Sequence, residues 1–318
     1  MSIIILRPAE PEHDFEQLAA WFSLLEDEPS STSGLQTYYA EQKTRITQQV
    51  AQNDRGELLG FYWATRDQGK PHRVSFFLFV EPAHRRHGLG GRLFAAMETF
   101  SKEIPVTRLR TNILETCPEG RRFAERHGFT LRLHVIGMTL DLRTFNEKVY
   151  DNLVAILGSE GFQFTSMEAL GNGEEAQRNL YELNRATSLD SPGTDGEEDW
   201  GGFEDFQRSV CQAPWYKPAG QMVVIEQATG KWVAMSAITQ LEGAAYAYNL
   251  HTGVARAYRG RKLGQAVKVQ ALRFARDTLG VTEVRTHHVA QNHPMIAIDQ
   301  KFGYQLAPGY FVMEKLYS

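Results

Sequence analysis

The sequence predicts an α/β protein (α+β in some schemes) made of two tandem copies of one unit, and three observations predict it. Val80-Glu81-Pro82-Ala83-His84-Arg85-Arg86-His87-Gly88-Leu89-Gly90 is repeated in kind by Val254-Ala255-Arg256-Ala257-Tyr258-Arg259-Gly260-Arg261-Lys262-Leu263-Gly264. Val254, Arg259 and Gly264 each lie 174 residues beyond Val80, Arg85 and Gly90, so the registers superpose without a gap. Each stretch follows an apolar, strand-like run and opens a segment with helical periodicity. The third observation is length: 318 residues correspond to roughly two domains, and each half can bury its own core.

The elements follow in order. Ser2–Leu6, rich in Ile, predicts an opening strand, and Glu12–Leu25 a helix with Phe15, Leu18, Ala19, Phe22 and Leu25 on one face. Leu58–Thr65 and Val74–Val80 predict strands around the turn-forming Asp67-Gln68-Gly69-Lys70-Pro71. Gly90–Phe100 is the helix after the first loop, Val106–Thr111 a strand, Glu119–His127 a helix stopped by Gly128, and Leu133–Leu142 a closing strand. The second copy begins with helices Lys148–Gly158 and Glu174–Ala186. Strands Met222–Glu226 and Val233–Gln240 follow, then Ala244–Leu250, which feeds the second loop. Leu263–Thr278 is a helix, Glu283–His287 a strand, Pro294–Phe302 a helix ended by Gly303, and Tyr310–Leu316 the last strand. The boundary is expected at Arg143–Asn146, giving domains 1–145 and 146–318.

Composition narrows the function classes. A hydrophobic fraction of 42%, a charged fraction of 23% and a pI near 6.2 fit an ordinary globular protein. The net charge of −4 argues against nucleic acid as the main partner. No apolar run approaches membrane-spanning length, and Met1–Leu6 is too short for a signal peptide. Cys117 and Cys211 fall one in each copy, which favours a reducing, cytoplasmic setting over a disulfide. His287, His288 and His293 do not make a metal motif, because adjacent histidines on a strand point to opposite faces. No metal is expected.

A tight turn between strand and helix leaves backbone N–H groups pointing outward with the positive end of the helix dipole behind them, and a diphosphate satisfies them. Gly88 and Gly90 admit phosphates without a Cβ in the way. Arg85, Arg86, His87 and Arg92 add charge in the first loop, as do Arg259, Arg261 and Lys262 in the second. Neither loop has the P-loop or the dinucleotide-binding glycine pattern.

Arg85-x-x-Gly88-x-Gly90 resembles the Gln/Arg-x-x-Gly-x-Gly/Ala signature of the GCN5-related N-acetyltransferases. Phe123 through Gly128-Phe129, and Asn292-x-x-Met295-x-x-Ile298 through Gly303-Tyr304, are similar to that family's later helix and its Gly-aromatic ending. The spacing is matched as well, with Gly128 lying 40 residues beyond Gly88 and Gly303 lying 41 beyond Lys262. The arrangement resembles the tandem members of the family, a group that includes mycothiol synthase-like enzymes. The resemblance implies, for each domain, a mixed and mostly antiparallel sheet flanked by helices, its central parallel strands parting to admit a pantetheine arm. It implies acetyl-CoA as cofactor, held by Val80, Arg85, Arg86, His87, Gly88, Leu89, Gly90, Gly91 and Arg92. In the second copy the holding set is Val254, Arg259, Gly260, Arg261, Lys262, Leu263, Gly264 and Gln265, with Asn292 toward the pantetheine.

The copies differ. Lys262 stands at the second copy's first glycine position, and Cys117 stands where the second copy has Asn292. The resemblance places a general base about eleven residues ahead of the arginine, at Val74 and Tyr248, and an acid at Ala124 and Asp299. Tyr248 is therefore the catalytic candidate, and its alternatives are packing against a helix or facing the substrate. Leu189–Phe206, with Asp190, Asp195, Glu197, Glu198, Asp199, Glu204 and Asp205, is either a solvated loop or a lid favouring a cationic amine. The expectation is direct acetyl transfer to a small-molecule amine by a monomer or homodimer, with catalysis in the second copy. The alternative is a non-catalytic acyl-CoA-binding or sensing protein, favoured by Val74, Ala124 and Asp299.

Overall fold

The computed structural model describes residues 3–26, 28–67, 70, 72–102, 106–193 and 201–317. The chain forms two compact units, Met1–His134 with Tyr310–Ser318, and Val135–Gly309. These units divide within the closing strands, between His134 and Val135 and between Gly309 and Tyr310.

The first unit contains β1 (Ile4–Arg7), α1 (Phe15–Glu26), α2 (Thr32–Gln42), β2 (Ile46–Asn53), β3 (Leu58–Arg66), β4 (Arg73–Val80), α3 (Leu89–Lys102), β5 (Arg108–Leu114) and α4 (Pro118–Arg126). It shares β6 (Thr130–Asp141) and β12 (Gln305–Leu316) with the second unit. Strands β1 to β4 pair antiparallel in order, β4 pairs parallel with β5, and β5 pairs antiparallel with Tyr310–Leu316. Apolar α1 residues at helical spacing (Phe15, Leu18, Ala19, Phe22, with Trp21) are buried against Phe61, Trp63 and Phe79 on one face of the sheet. Leu89, Leu93, Phe94 and Met97 of α3 are buried on the other face with Tyr62, Val74, Phe76 and Val80. Strand β3 is covered on both sides and reads as a near-continuous buried run from Leu59 to Ala64.

The second unit contains α5 (Lys148–Ser159), β7 (Phe162–Ser166), α6 (Glu174–Leu189), α7 (Phe203–Phe206), β8 (Gln221–Glu226), β9 (Lys231–Thr239), β10 (Ala247–Val254), α8 (Leu263–Asp277), β11 (Glu283–Val289) and α9 (His293–Phe302). Its sheet repeats the first: β7 to β10 antiparallel, β10 parallel to β11, and β11 antiparallel to Val135–Asp141 of β6. The closing strands are therefore exchanged. The end of the chain completes the first sheet, and the strand expected to close the first copy completes the second. The Gly-aromatic endings behave as expected, with Gly128 and Gly303 left-handed at φ 85° and 95° and Phe129 and Tyr304 buried behind them. Elements α2, β2 and β7 have no counterpart in the expectations, and Ser2 and the tip of the 67–71 turn lie outside the described residues.

Candidate functional site

In the first unit β4 is paired along its length with β3, and β5 with β12, but β4 and β5 pair with each other only at Arg73–Ser75 and Arg108–Arg110. Beyond Ser75 the two strands part. Phe76–Val80 and Thr111–Leu114 then face a cavity of about 670 Å3, within the roughly 300–1,000 Å3 of small-molecule sites. The backbone edges of two parallel strands are thus offered to whatever enters, as a chain of amides requires.

The expected loop closes one end of this cavity. After a short 3-10 turn at Pro82–His84 the backbone is extended at Arg85 and left-handed at Arg86 (φ 67°) and Gly88 (φ 83°), after which α3 starts. The second loop has the same conformation, with Gly260 at φ 81° and Lys262 at φ 64°. Each copy therefore has two left-handed positions and places glycine at a different one. Lys262 does not change the course of the backbone; it only adopts a conformation that costs a non-glycine residue about 1 kcal/mol. Successive N–H groups in such a turn converge into an anion-binding concavity. A Cβ added at Gly88 or Gly91 would meet nothing within 4 Å, which leaves the space a phosphate needs. The fit to a nucleotide diphosphate is good.

Of the residues expected to hold the cofactor, Val80, Arg85, Arg86, Gly88, Gly90 and Gly91 line the cavity. Arg85 also braces the loop, since Nε donates to the Val80 carbonyl at 2.9 Å and Nη1 pairs with Glu119 of α4 at 2.9 Å. Leu89 is instead a core residue, Arg92 donates to the Ile4 carbonyl, and His87 is exposed. In the second loop Arg259 repeats the tie, its Nε donating to the Val254 carbonyl at 3.2 Å. Its charges are met from within the unit: Arg256 and Arg259 both pair with Asp190, and Arg261 with Glu160. Leu263 and Gly264 are buried, Gln265 is half-buried, Gly260 and Lys262 are exposed, and Asn292 is half-buried at the start of α9.

Tyr248 is half-buried, and its hydroxyl lies 2.6 Å from His287 Nδ1 with the two rings stacked. His288, the next residue, points to Asp299 instead, with Nε2 2.7 Å from Oδ2. The adjacent histidines thus serve opposite faces, as a strand requires. Asp299 also binds Lys268 of α8, and both side chains are fully buried. Burial would raise the Asp299 carboxyl, but Lys268 and His288 outweigh it and hold the group below its usual range. A bulge between Asn249 and His251 interrupts the alternation of β10. Burial pushes the His251 imidazole down to about 4, so it is neutral at pH 7 beside Thr187 Oγ1 at 2.9 Å. Thr286 Oγ1 donates to the Asn249 carbonyl at 3.0 Å, joining β11 to β10 where those strands part. Asp195, Glu197, Glu198 and Asp199 lie outside the described residues, and Asp205 pairs with its neighbour Arg208.

Several lining residues had no part in the expectations. Arg122 and Arg126 of α4 add charge to the cavity wall. Leu24, Leu25, Phe77 and Phe79 bring its far end to the α1 face of the sheet. The signal available was β4 itself, apolar at every position from Phe76 to Val80, hence facing apolar surroundings on both sides.

Residues 44–131 match the profile of the acetyltransferase (GNAT) domain and residues 179–304 that of the acetyltransferase (GNAT) family. Among solved structures the chain is similar to a GCN5-related N-acetyltransferase from Sphaerobacter thermophilus, at 17% identity over 98% of this chain and 95% of that one, with a TM-score of 0.70. It is similar to a tandem GNAT protein from the clavulanic acid biosynthesis pathway, at 18% identity over 99% and 98%, TM-score 0.72. It also resembles a GCN5-related glucosamine N-acetyltransferase region of a fungal multi-domain GH3 β-N-acetylglucosaminidase, at 15% identity over 99% of this chain and 38% of that one, TM-score 0.74. Likeness at these identities is likeness of fold. No curated protein matches the chain.

Proposed function

The chain belongs to the acetyltransferase (GNAT) family, of which it carries two domains, and from that premise we propose that its first copy transfers the acetyl group of acetyl-CoA directly to the primary amine of a small molecule. The observation that supports this most is the cavity of about 670 Å3 that joins the Arg85–Gly91 loop to the parted strands β4 and β5. The first-turn N–H groups of α3, the open space at Gly88 and Gly91, and Arg86 would take the diphosphate. Arg122 and Arg126 add positive charge beside it. The strand edges Phe76–Val80 and Thr111–Leu114 would pair with the pantetheine amides. When bound, acetyl-CoA supplies an activated acyl carbon, and oriented backbone N–H groups at the notch polarise its carbonyl.

Direct transfer fits the lining. His127, on the wall with Cys117, has Nδ1 2.8 Å from the Phe123 carbonyl and its ring packed against Phe94 and Phe123. Among the described residues no hydrogen bond joins this imidazole to the Cys117 thiol, so the wall does not present a paired, activated nucleophile.

Calorimetry with acetyl-CoA tests the assignment. Gly91→Glu places a carboxylate in the phosphate space at a helix position that accepts it, and should weaken binding at least about 100-fold by charge repulsion and occlusion. Gln265→Glu, its equivalent in the second copy, should leave binding unchanged. The reverse pattern would move the site to the second copy and reinstate Tyr248 as the catalytic candidate. Binding in the wild type with no amine-dependent release of CoA would favour the sensing alternative.

A further inference from the structure

A second, smaller cavity of about 80 Å3 lies within the second unit, between α6 and α7 on one side and β8 to β10 on the other. It shares no lining residue with the cavity of the first unit, so what it binds is independent of which copy transfers acetyl. Two departures from regular structure shape it. Directly after α7 the helix widens into a π turn over Gln207–Cys211, and Phe206 and Val210 from this stretch form part of the wall. Such turns recur at functional sites. The bulge of β10 between Asn249 and His251 sets the consecutive residues Leu250 and His251 both on the wall, where a regular strand would turn one of them away.

The polar groups of the wall are a matched donor and acceptor. Gln221 opens β8 with only 3% of its surface exposed, and its amide Nε2 is sealed from solvent with no hydrogen-bond partner. A buried donor without a partner is costly and uncommon. One that belongs to a cavity-lining side chain is poised to find its partner in the cavity. His251 supplies the acceptor. Thr187 Oγ1 donates to the Leu183 carbonyl at 2.8 Å, so its 2.9 Å contact with His251 Nε2 is one in which the ring nitrogen donates. Burial keeps this imidazole neutral at pH 7, which leaves Nδ1 as a lone-pair acceptor. The half-buried Asn184 of α6 adds a second amide. The rest of the wall is apolar, with Trp215 held in place by the Thr239 hydroxyl, which donates to its carbonyl at 2.5 Å. Among the described residues no aspartate, glutamate, lysine or arginine lines it.

We propose that this cavity is a binding site for a small uncharged amide, a carboxamide or urea group whose carbonyl oxygen accepts from the Gln221 amide nitrogen and whose N–H donates to His251 Nδ1. Set against the roughly 150 Å3 that admits benzene, the space takes a group of about three to five non-hydrogen atoms. An ion would lose its hydration there and meet no countercharge. A hydrocarbon would leave the donor and the acceptor unpaired.

The test follows the Trp215 indole N–H by nitrogen-correlated NMR of the labelled full chain, the resonance being assigned by its loss in Trp215→Phe. Propionamide, propionate and propylammonium are the probes. Propionamide should shift the resonance saturably with a millimolar Kd, and the two ions should bind at least about tenfold more weakly. Gln221→Met keeps the side-chain length and removes the amide. It should weaken propionamide about tenfold and leave the Tm at or above that of the wild type, since an unpaired buried donor is gone. Should that variant not fold, the three probes on the wild type decide the matter alone. No shift with propionamide would overturn the assignment and leave the cavity to ordered water. Equal shifts with all three probes would overturn its chemistry. Undiminished affinity with a lowered Tm in Gln221→Met would also overturn it, making the glutamine a structural group.

Discussion

The two notches share a backbone and differ in what fills them. In the first unit Phe94, Ile113, Ala124 and Phe129 line an open cavity. Their equivalents in the second, 174 or 175 residues on, are Lys268, His288, Asp299 and Tyr304. There an ammonium and a carboxylate with no solvent exposure face each other, His288 completes the network, and the Tyr304 ring centroid lies 4.7 Å from the ammonium. The loops differ in the same sense: Asp190 and Glu160 pair with all three arginines of the second loop, whereas in the first Arg85 pairs with Glu119 and Arg86 lines the cavity. A duplicated backbone therefore does not carry duplicated side chains at its notch. Ordinary side-chain replacements turn an apolar channel wall into a sealed ionic core while strand order and loop torsions stay fixed.

The largest expected effect attacks the sealed network. Lys268→Met strands a buried carboxylate and should cost about 3–5 kcal/mol in denaturant unfolding. Installing the first copy's residues together, as Lys268→Phe, His288→Ile and Asp299→Ala, should recover most of that loss. Asp299 is held below its ordinary pKa, so its contribution persists above the usual carboxylate range and drains as pH falls through the folded value. The triple variant should lose that acid sensitivity.

Next comes the open wall. Phe94→Ala removes a ring buried against Phe76, Phe123 and Phe129. It should destabilise by about 3 kcal/mol and weaken acetyl-CoA binding in calorimetry. Lys262→Gly should stabilise by about 1 kcal/mol by relieving a left-handed non-glycine residue, seen as a higher Tm. The smallest effect is Asp190→Asn, which frees Arg256 and Arg259. Inorganic pyrophosphate should then bind the second loop severalfold more tightly at low salt, with the gain lost at high salt.

Much of the fold was legible because it rests on local pattern: apolar runs, helical spacing, and glycines at forced torsions. What was missed has physical reasons. Strand β2 hides because an inward position is Gln48, whose amide exchanges hydrogen bonds with the Ala9 backbone at 2.6 and 3.0 Å. Helix α2 buries only Leu35 and so lacks periodicity, its one local mark being Ser31 capping Gly34 N–H. Strand β7 is a short edge strand. The exchange of closing strands was invisible because Val135 and Tyr310 occupy equivalent positions, opposite Val289 and Leu114. Nothing in either sequence marks its own copy. At the site, the left-handed loop turns were legible from the glycines, whereas Leu24 and Leu25 lie far from β4 in sequence and join the cavity wall only once α1 packs against it.

The exchanged strands bear on how the copies can be separated. A polypeptide ending near residue 145 would keep β5 yet lack Tyr310–Leu316, the segment that covers its outer edge. The remainder would lack Val135–Asp141 alongside β11. Each fragment would expose a raw hydrogen-bonding edge that invites pairing with other molecules. Deletion is thus a poor way to apportion activity between the copies, and single substitutions in the intact polypeptide are the way to do it.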